Sequence, residues 1–441
     1  MNCSQTFIRC VSVGIVWLAV TIASGSDDFD APPIRYRDST PTNRISRLQS
    51  QLDSGVVQLK YHAAHGYLPA VLQALKVPIE SQMLVFSKTS LQVRYINVQT
   101  PRAIYFNDDI YVGYCQSGDV MEVSAVDPVL GTVFYTLDQQ PLDKPRFERR
   151  IDNCVVCHQN SATGGVPGHM VRSLFVDADG QPMLSAGGRS IDHTTPLEHR
   201  WGGWYVSGKH GSHGHLGNLV IRTREVPRPI DNSAGLNVED LASRLRVDHY
   251  LAPHSDIVAL MVLEHQTFVH NRLTRANFIT RQALVEAAKL KQMPVDSANQ
   301  ELAVLTRRIH EVGDELVDAM LMVDEAKITA PITGTSGYAR YFEALGPRDK
   351  RGRSLRQFDL TRRLFRYPCS YVIYSESFDA LPDEVRDYVW QRLWNVVTET
   401  DKHDKFAHLS RADRQAIAEI IAETKPNRPA YWKPGTAASE R

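Results

Sequence analysis

The chain carries two hydrophobic periods, one after the other. Between Met83 and Leu137 the apolar positions come in short β-branched and aromatic runs: LVF, VRYINV, AIYF, IYVGYC, VMEVSAV and TVFYTL. Turn formers such as Asn107, Asp108, Gly118, Asp119, Pro128 and Gly131 separate them. Short runs of this composition between turn residues predict an antiparallel meander. Shorter strand-like runs recur within 159–235, among glycine, proline and histidine. After about Val238 the period becomes helical. Residues 255–293 repeat apolar side chains at a 3.6-residue spacing behind a Ser255–Asp256 cap, and a second helix covers about 298–323. Further helices are expected at about 44–53, 67–76, 382–397 and 410–423. The fold class is therefore α+β, with an antiparallel strand-rich N-terminal half and a mainly helical C-terminal half.

The ends read differently. Arg9 precedes the apolar run VSVGIVWLAVTIA (11–23), and the small residues Ala23, Ser24 and Gly25 follow. A run shorter than the roughly 20 residues that span a bilayer, with small residues after it, has the form of a cleavable signal peptide. The expected organisation is a signal peptide at 1–25, a mobile polar leader at 26–43, a strand-rich region at 44–235, a mainly helical region at 236–425 and a polar tail at 426–441. The mature protein is then exported, periplasmic or otherwise outside the cytoplasm, with no stable membrane span. Lys+Arg and Asp+Glu both number 50, so the formal net charge is zero. That balance argues against nucleic acid as a partner, because phosphate binding leaves a basic excess.

Export alters the reading of the cysteines. Cys3 and Cys10 would go with the signal, leaving Cys115, Cys154, Cys157 and Cys369. Cys115 and Cys369 both sit in strand-like runs, and either a disulfide between them or two buried thiols fits the spacing. Cys154, Cys157 and His158 form the string CVVCH, the pattern through which two thiols take up a c-type haem while the adjacent imidazole coordinates its iron. A structural zinc site would need further ligands at close spacing, and no second cysteine pair is present. A thioredoxin-like pair would open a helix after a strand in a βαβ unit, which the meander does not supply. The cofactor expected is one covalent haem c.

The motif and the export pattern resemble c-type cytochromes. The phrases SKTSLQ (87–92), PRAIYFNDD (101–109), RWGGWYVSGKHG (200–211) and FRYPCSYVIYS (365–375) resemble those of large bacterial cytochrome c domain-containing proteins of uncharacterised function. The resemblance implies haem attachment at Cys154 and Cys157 and an axial role for His158, and carries over no reaction. Small cytochromes c place the motif near the N-terminus of a helical domain, whereas residues 26–153 precede it here.

The second axial position decides between carrier and catalyst. Three residues are candidates. His265 lies within the apolar stripe of the long helix, where a buried imidazole needs a partner or a metal; a core histidine bonded to a neighbour is the competing reading. His215 lies with His210 and His213 in the glycine-rich segment 208–218, which otherwise reads as an exposed loop. Met170, beside His169, is close in sequence to the motif. Trp201, Trp204 and Tyr205 could wall a haem or fill a core. DADGQP (177–182) reads as a hairpin turn on Asp179–Gly180 rather than a calcium loop. The leading functional expectation is electron transfer with a redox partner protein or a small-molecule electron donor or acceptor. The alternatives are a haem-dependent oxidoreductase of peroxidase or oxygenase type, with His265, His270 or a loop histidine as acid–base group, and a haem sensor or structural haem protein.

Overall fold

A computed structural model describes residues 29–290 and 294–433. The signal-peptide expectation lies outside these residues. The six strands of the main sheet are β1 (Met83–Val85), β2 (Arg102–Phe106), β3 (Ile110–Tyr114), β4 (Val120–Asp127), β5 (Gly131–Asp138) and β6 (Phe147–Arg149). Each pairs antiparallel with the next, so strand order is sequence order and the meander is as the alternating runs imply.

The two-residue period divides the sheet into faces. Ala103, Tyr105, Val112, Met121, Val123, Val133 and Leu137 pack into one core with Ile45, Leu48, Val71 and Leu72. The last four belong to α1 (Arg44–Asp53) and α2 (Leu68–Leu75). Asn43 caps α1, its side-chain oxygen accepting from the N–H groups of Ile45 and Ser46. The opposite face offers Phe106, Tyr111 and Val126 to a second core built on the C-terminal helices.

The motif forms α3 (Asn153–His158). A two-stranded ribbon follows, β7 (Val171–Leu174) paired with β8 (Gly188–Ile191). Then comes α4 (Ile257–Leu290), 34 residues and about 51 Å long at 1.5 Å per residue. It is buried on nearly every side over its first two-thirds because the sheet flanks it on one side and α5 (Val295–Met320) on the other. The remaining helices are α6 (Tyr338–Ala344), α7 (Glu376–Asp379), α8 (Asp383–Val397) and α9 (Arg411–Thr424). The α+β reading is correct. Met83, Val85, Phe106, Tyr111 and Val126 of the sheet share a core with the C-terminal helices.

Other local expectations need correction. VRYINV is not a strand: Val93–Tyr95 is a 3-10 turn, and Asn97 Oδ1 accepts from the N–H groups of Gln99 and Thr100, folding the chain back before Pro101. YPCSYVIY holds a 3-10 turn at Tyr371–Tyr374, capped by the Ser370 hydroxyl. The leader is not loose over its described part. Phe29, Ile34 and Tyr36 are buried, and the Tyr36 hydroxyl donates to the Thr132 carbonyl at 2.6 Å. In the tail, Trp432 is buried between Trp390 and Trp394 and donates to the Ala418 carbonyl. Apolar side chains inside polar stretches explain both cases: they bury apolar area that composition averages hide. Cys115 and Cys369 are free buried thiols. Among the described residues, no helix is long and apolar enough to cross a membrane.

Candidate functional site

The site begins with the geometry of one short helix. On α3, Cys154 and Cys157 are three positions apart and His158 is four from Cys154, so the three side chains share a face. Val155, buried, fastens the helix to the sheet core, while Cys154 is half-buried and Cys157 exposed. All three motif side chains line a cavity of about 470 Å³. That lies within the range of roughly 300–1,000 Å³ usual for small-molecule pockets.

The cavity's floor is the second face of the sheet. Ile104, Tyr111, Gly113, Glu122, Ser124 and Phe134 line it, as their even register with one another requires. Leu263 and Thr267 of α4 close one side, and residues 87–91, Pro182 and Leu184 stand on the other. Leu184 is 81% exposed, Leu91 48% and Val93 45%, and all three line the cavity. Apolar side chains turned toward a cavity and left wet suit a large, apolar occupant. Arg102, Arg172 and Lys88 also reach it, the first ion-paired with Glu122 at 2.6 Å, so the lining can meet carboxylates as well.

The imidazole of His158 is held. Its Nδ1 donates to the Gly168 carbonyl at 2.9 Å, and the Gly168 N–H returns a bond to the His158 carbonyl at 2.9 Å. Phe134 packs on the ring at 4.8 Å between centroids. Burial pushes the imidazole pKa below its ordinary value, against the Gly168 carbonyl, which raises it. The ring is therefore neutral at pH 7 with its proton on Nδ1, and Nε2 keeps its lone pair. Burial pushes the Cys154 thiol up to about 11, so it is a thiol rather than a thiolate until something binds it.

Among the candidates for the second axial position, the structure brings only Met170 to the cavity. Its sulfur lies 3.1 Å from Arg172 Nε and 3.9 Å from Asn160 Nδ2. His265 does not line the cavity. It is fully buried, with Nε2 at 2.8 Å from Ser370 Oγ and Nδ1 at 3.4 Å from His193 Nδ1. His215 does not line it either; its Nε2 is 3.1 Å from His210 Nε2 and its ring packs on Trp201. The loop histidines His210 and His215 are buried. His213 accepts from the N–H groups of Thr329 and Ala330. Trp204 lines the cavity, whereas Trp201 donates to buried Glu264. DADGQP is a turn closed by a bridge from Val176 to Pro182, with Asp177 accepting from the Asp179 and Gln181 N–H groups. No group of three or more histidine, cysteine or acidic residues is gathered for a metal ion among the described residues.

Sequence reasoning missed three participants. His169 is half-buried at the cavity wall, 6.3 Å from the His158 ring, with Nε2 at 2.7 Å from Ser124 Oγ and Nδ1 at 3.3 Å from Thr132 Oγ1. The Gly168 carbonyl is a backbone group that no motif announces. The sheet face was readable from the strand alternation, had the cavity been known to lie on it. No protein-family model matches the chain, and no curated protein or solved structure matches it.

Proposed function

We propose that the chain binds one haem covalently through Cys154 and Cys157, with His158 Nε2 as axial ligand to iron, and serves electron transfer with a redox partner. One observation carries the reading: two thiols and a neutral imidazole with a free Nε2 converge on a single apolar cavity. The haem supplies a one-electron couple when bound. The protein's part is to fix the imidazole through Gly168, to exclude water with Phe134, Leu174 and Trp204, and to offer Arg102, Arg172 or Lys88 to the haem carboxylates. The N-terminal pattern at 1–25 supports an exported, periplasmic chain, the side of the membrane on which such attachment is completed.

The oxidoreductase reading stays in play for one reason. The Met170 sulfur is engaged by Arg172, and both nitrogens of His169 face hydroxyls, so neither stands ready as a second axial ligand. Visible and paramagnetic-resonance spectra of the purified ferric protein, and carbon monoxide added to the reduced form, separate the two. Two strong axial ligands and no carbon monoxide adduct support the carrier; high-spin iron that takes carbon monoxide contradicts it. Cys154→Ala with Cys157→Ala should yield protein that loses its colour on acid–acetone extraction; retained colour would refute covalent attachment at these thiols.

A further inference from the structure

The proximal imidazole depends on a segment with little stiffness of its own. Residues 164–168 are GGVPG, and Gly164 and Gly165 have φ of +70° and +81°. Helix α4 grips this segment at two places one turn apart. Arg275 donates to the Gly164 carbonyl at 3.1 Å. Asn271 takes hold of His169 from both sides: Oδ1 accepts from its N–H at 3.2 Å and Nδ2 donates to its carbonyl at 2.7 Å. Across the loop, the His169 ring is held to the sheet by Ser124 and Thr132. Gly168, whose carbonyl receives the His158 Nδ1 proton, is the residue next to this clamp. A Cβ on Gly168 would stand 2.1 Å from Asn271 Oδ1, so the approach admits no side chain.

We propose that Asn271 is a positioning residue for the iron-binding imidazole: by fixing His169 it fixes the Gly168 carbonyl, and through that carbonyl the tautomer and orientation of His158. This rests on the haem assignment and extends the part of α4 from walling the cavity to holding the imidazole. A donor bond from the far ring nitrogen raises the basicity of a metal-binding histidine and holds its ring. A more basic ligand favours the oxidised metal. Loosening the clamp therefore raises the midpoint potential.

The test uses the full chain, matured with haem, in three forms: unmodified, Asn271→Ala, and Asn271→Asp. The aspartate keeps the acceptor for the His169 N–H and loses the donor to its carbonyl. Two quantities are measured, the midpoint potential and the solvent-exchange rate of the His158 Nδ1 proton by nuclear magnetic resonance. The alanine variant should show a more positive potential. In both variants the Nδ1 proton should exchange about tenfold faster, equivalent to roughly 1.4 kcal/mol less protection. Unchanged potential in the alanine variant, or unchanged exchange in either, overturns the proposal. If the alanine variant does not fold, the exchange rate in the aspartate variant decides. The exchange readout needs no iron, so colourless protein in which both variants exchange faster would refute the haem assignment and leave the clamp standing.

Discussion

Replacing Gln266 by leucine tests whether the wall between cavity and core is a single hydrogen-bonded unit. Gln266 lies on α4 and is 1% exposed. Its Nε2 donates to the Asn107 carbonyl at 2.9 Å and to the Tyr111 hydroxyl at 2.7 Å, and its Oε1 accepts from the Tyr371 hydroxyl. Because the Tyr111 oxygen accepts from Gln266, its own proton goes to His270 Nδ1 at 3.1 Å. Every donor direction in the cluster is thus set by one amide. Leucine preserves volume and strands two buried acceptor or donor groups, the Asn107 carbonyl and the Tyr371 hydroxyl; Tyr111 keeps His270. At about 1–3 kcal/mol for each stranded group, the loss is about 2–6 kcal/mol. Urea unfolding should show a lower midpoint at unchanged slope. Adding Tyr371→Phe removes one stranded group, so the double variant should be destabilised by less than the sum of the two singles. A loss under about 1 kcal/mol, or strict additivity in the cycle, would refute the network as described.

Other outcomes follow from the same geometry. His265→Ala should leave the visible spectrum of the haem-loaded protein unchanged while lowering its melting temperature, since His265 bonds Ser370 and His193 away from the cavity; a changed spectrum would restore it as an iron ligand. Burial lowers His193 and His270 to about 4 and His215 to about 3. Unfolded imidazoles bind protons near pH 6.5 while these folded ones do not, so their contribution is complete above pH 6.5 and is lost as pH falls toward 4 and 3. Burial raises Glu264 and Glu325 to about 7, against the lowering effect of Arg200 on both, and these act oppositely, with stability falling as pH rises from about 4.5 to 7. The histidines are the more numerous, so acid unfolding should begin below pH 6.5, and His270→Gln should flatten that slope by up to about one proton. Gly180→Ala should cost more than about 1 kcal/mol, because φ is +82° and the new Cβ would meet the Phe86 carbonyl oxygen at 2.4 Å; a neutral substitution in thermal unfolding would contradict the turn geometry.

The elements were legible wherever one period ran long enough. Helix α4 was expected over 255–293 and occupies Ile257–Leu290, and α8 and α9 fall within two residues of their expected bounds. Sustained repeats leave few alternative ways to bury the same residues. Short runs failed where local side-chain bonds outweighed β-propensity, as at Asn97 and Ser370. Strand β6 went unseen because only Phe147 is apolar among its residues; pairing with β5 defines it. The motif named Cys154, Cys157 and His158 because all three are neighbours in sequence. The rest of the site joins residues far apart in the chain, such as Ser124, His169 and Asn271, and a spacing rule cannot express that. His265 looked available for a metal because its burial was readable and its partner, Ser370, was not.

The proposed haem attachment is a pair of thioether bonds. Protein from cells able to mature cytochromes c should be denatured, treated with iodoacetamide and digested, and the fragment carrying residues 151–160 weighed. This peptide should bear the mass of one haem, with neither Cys154 nor Cys157 alkylated. A fragment of unmodified mass with both thiols alkylated would contradict it.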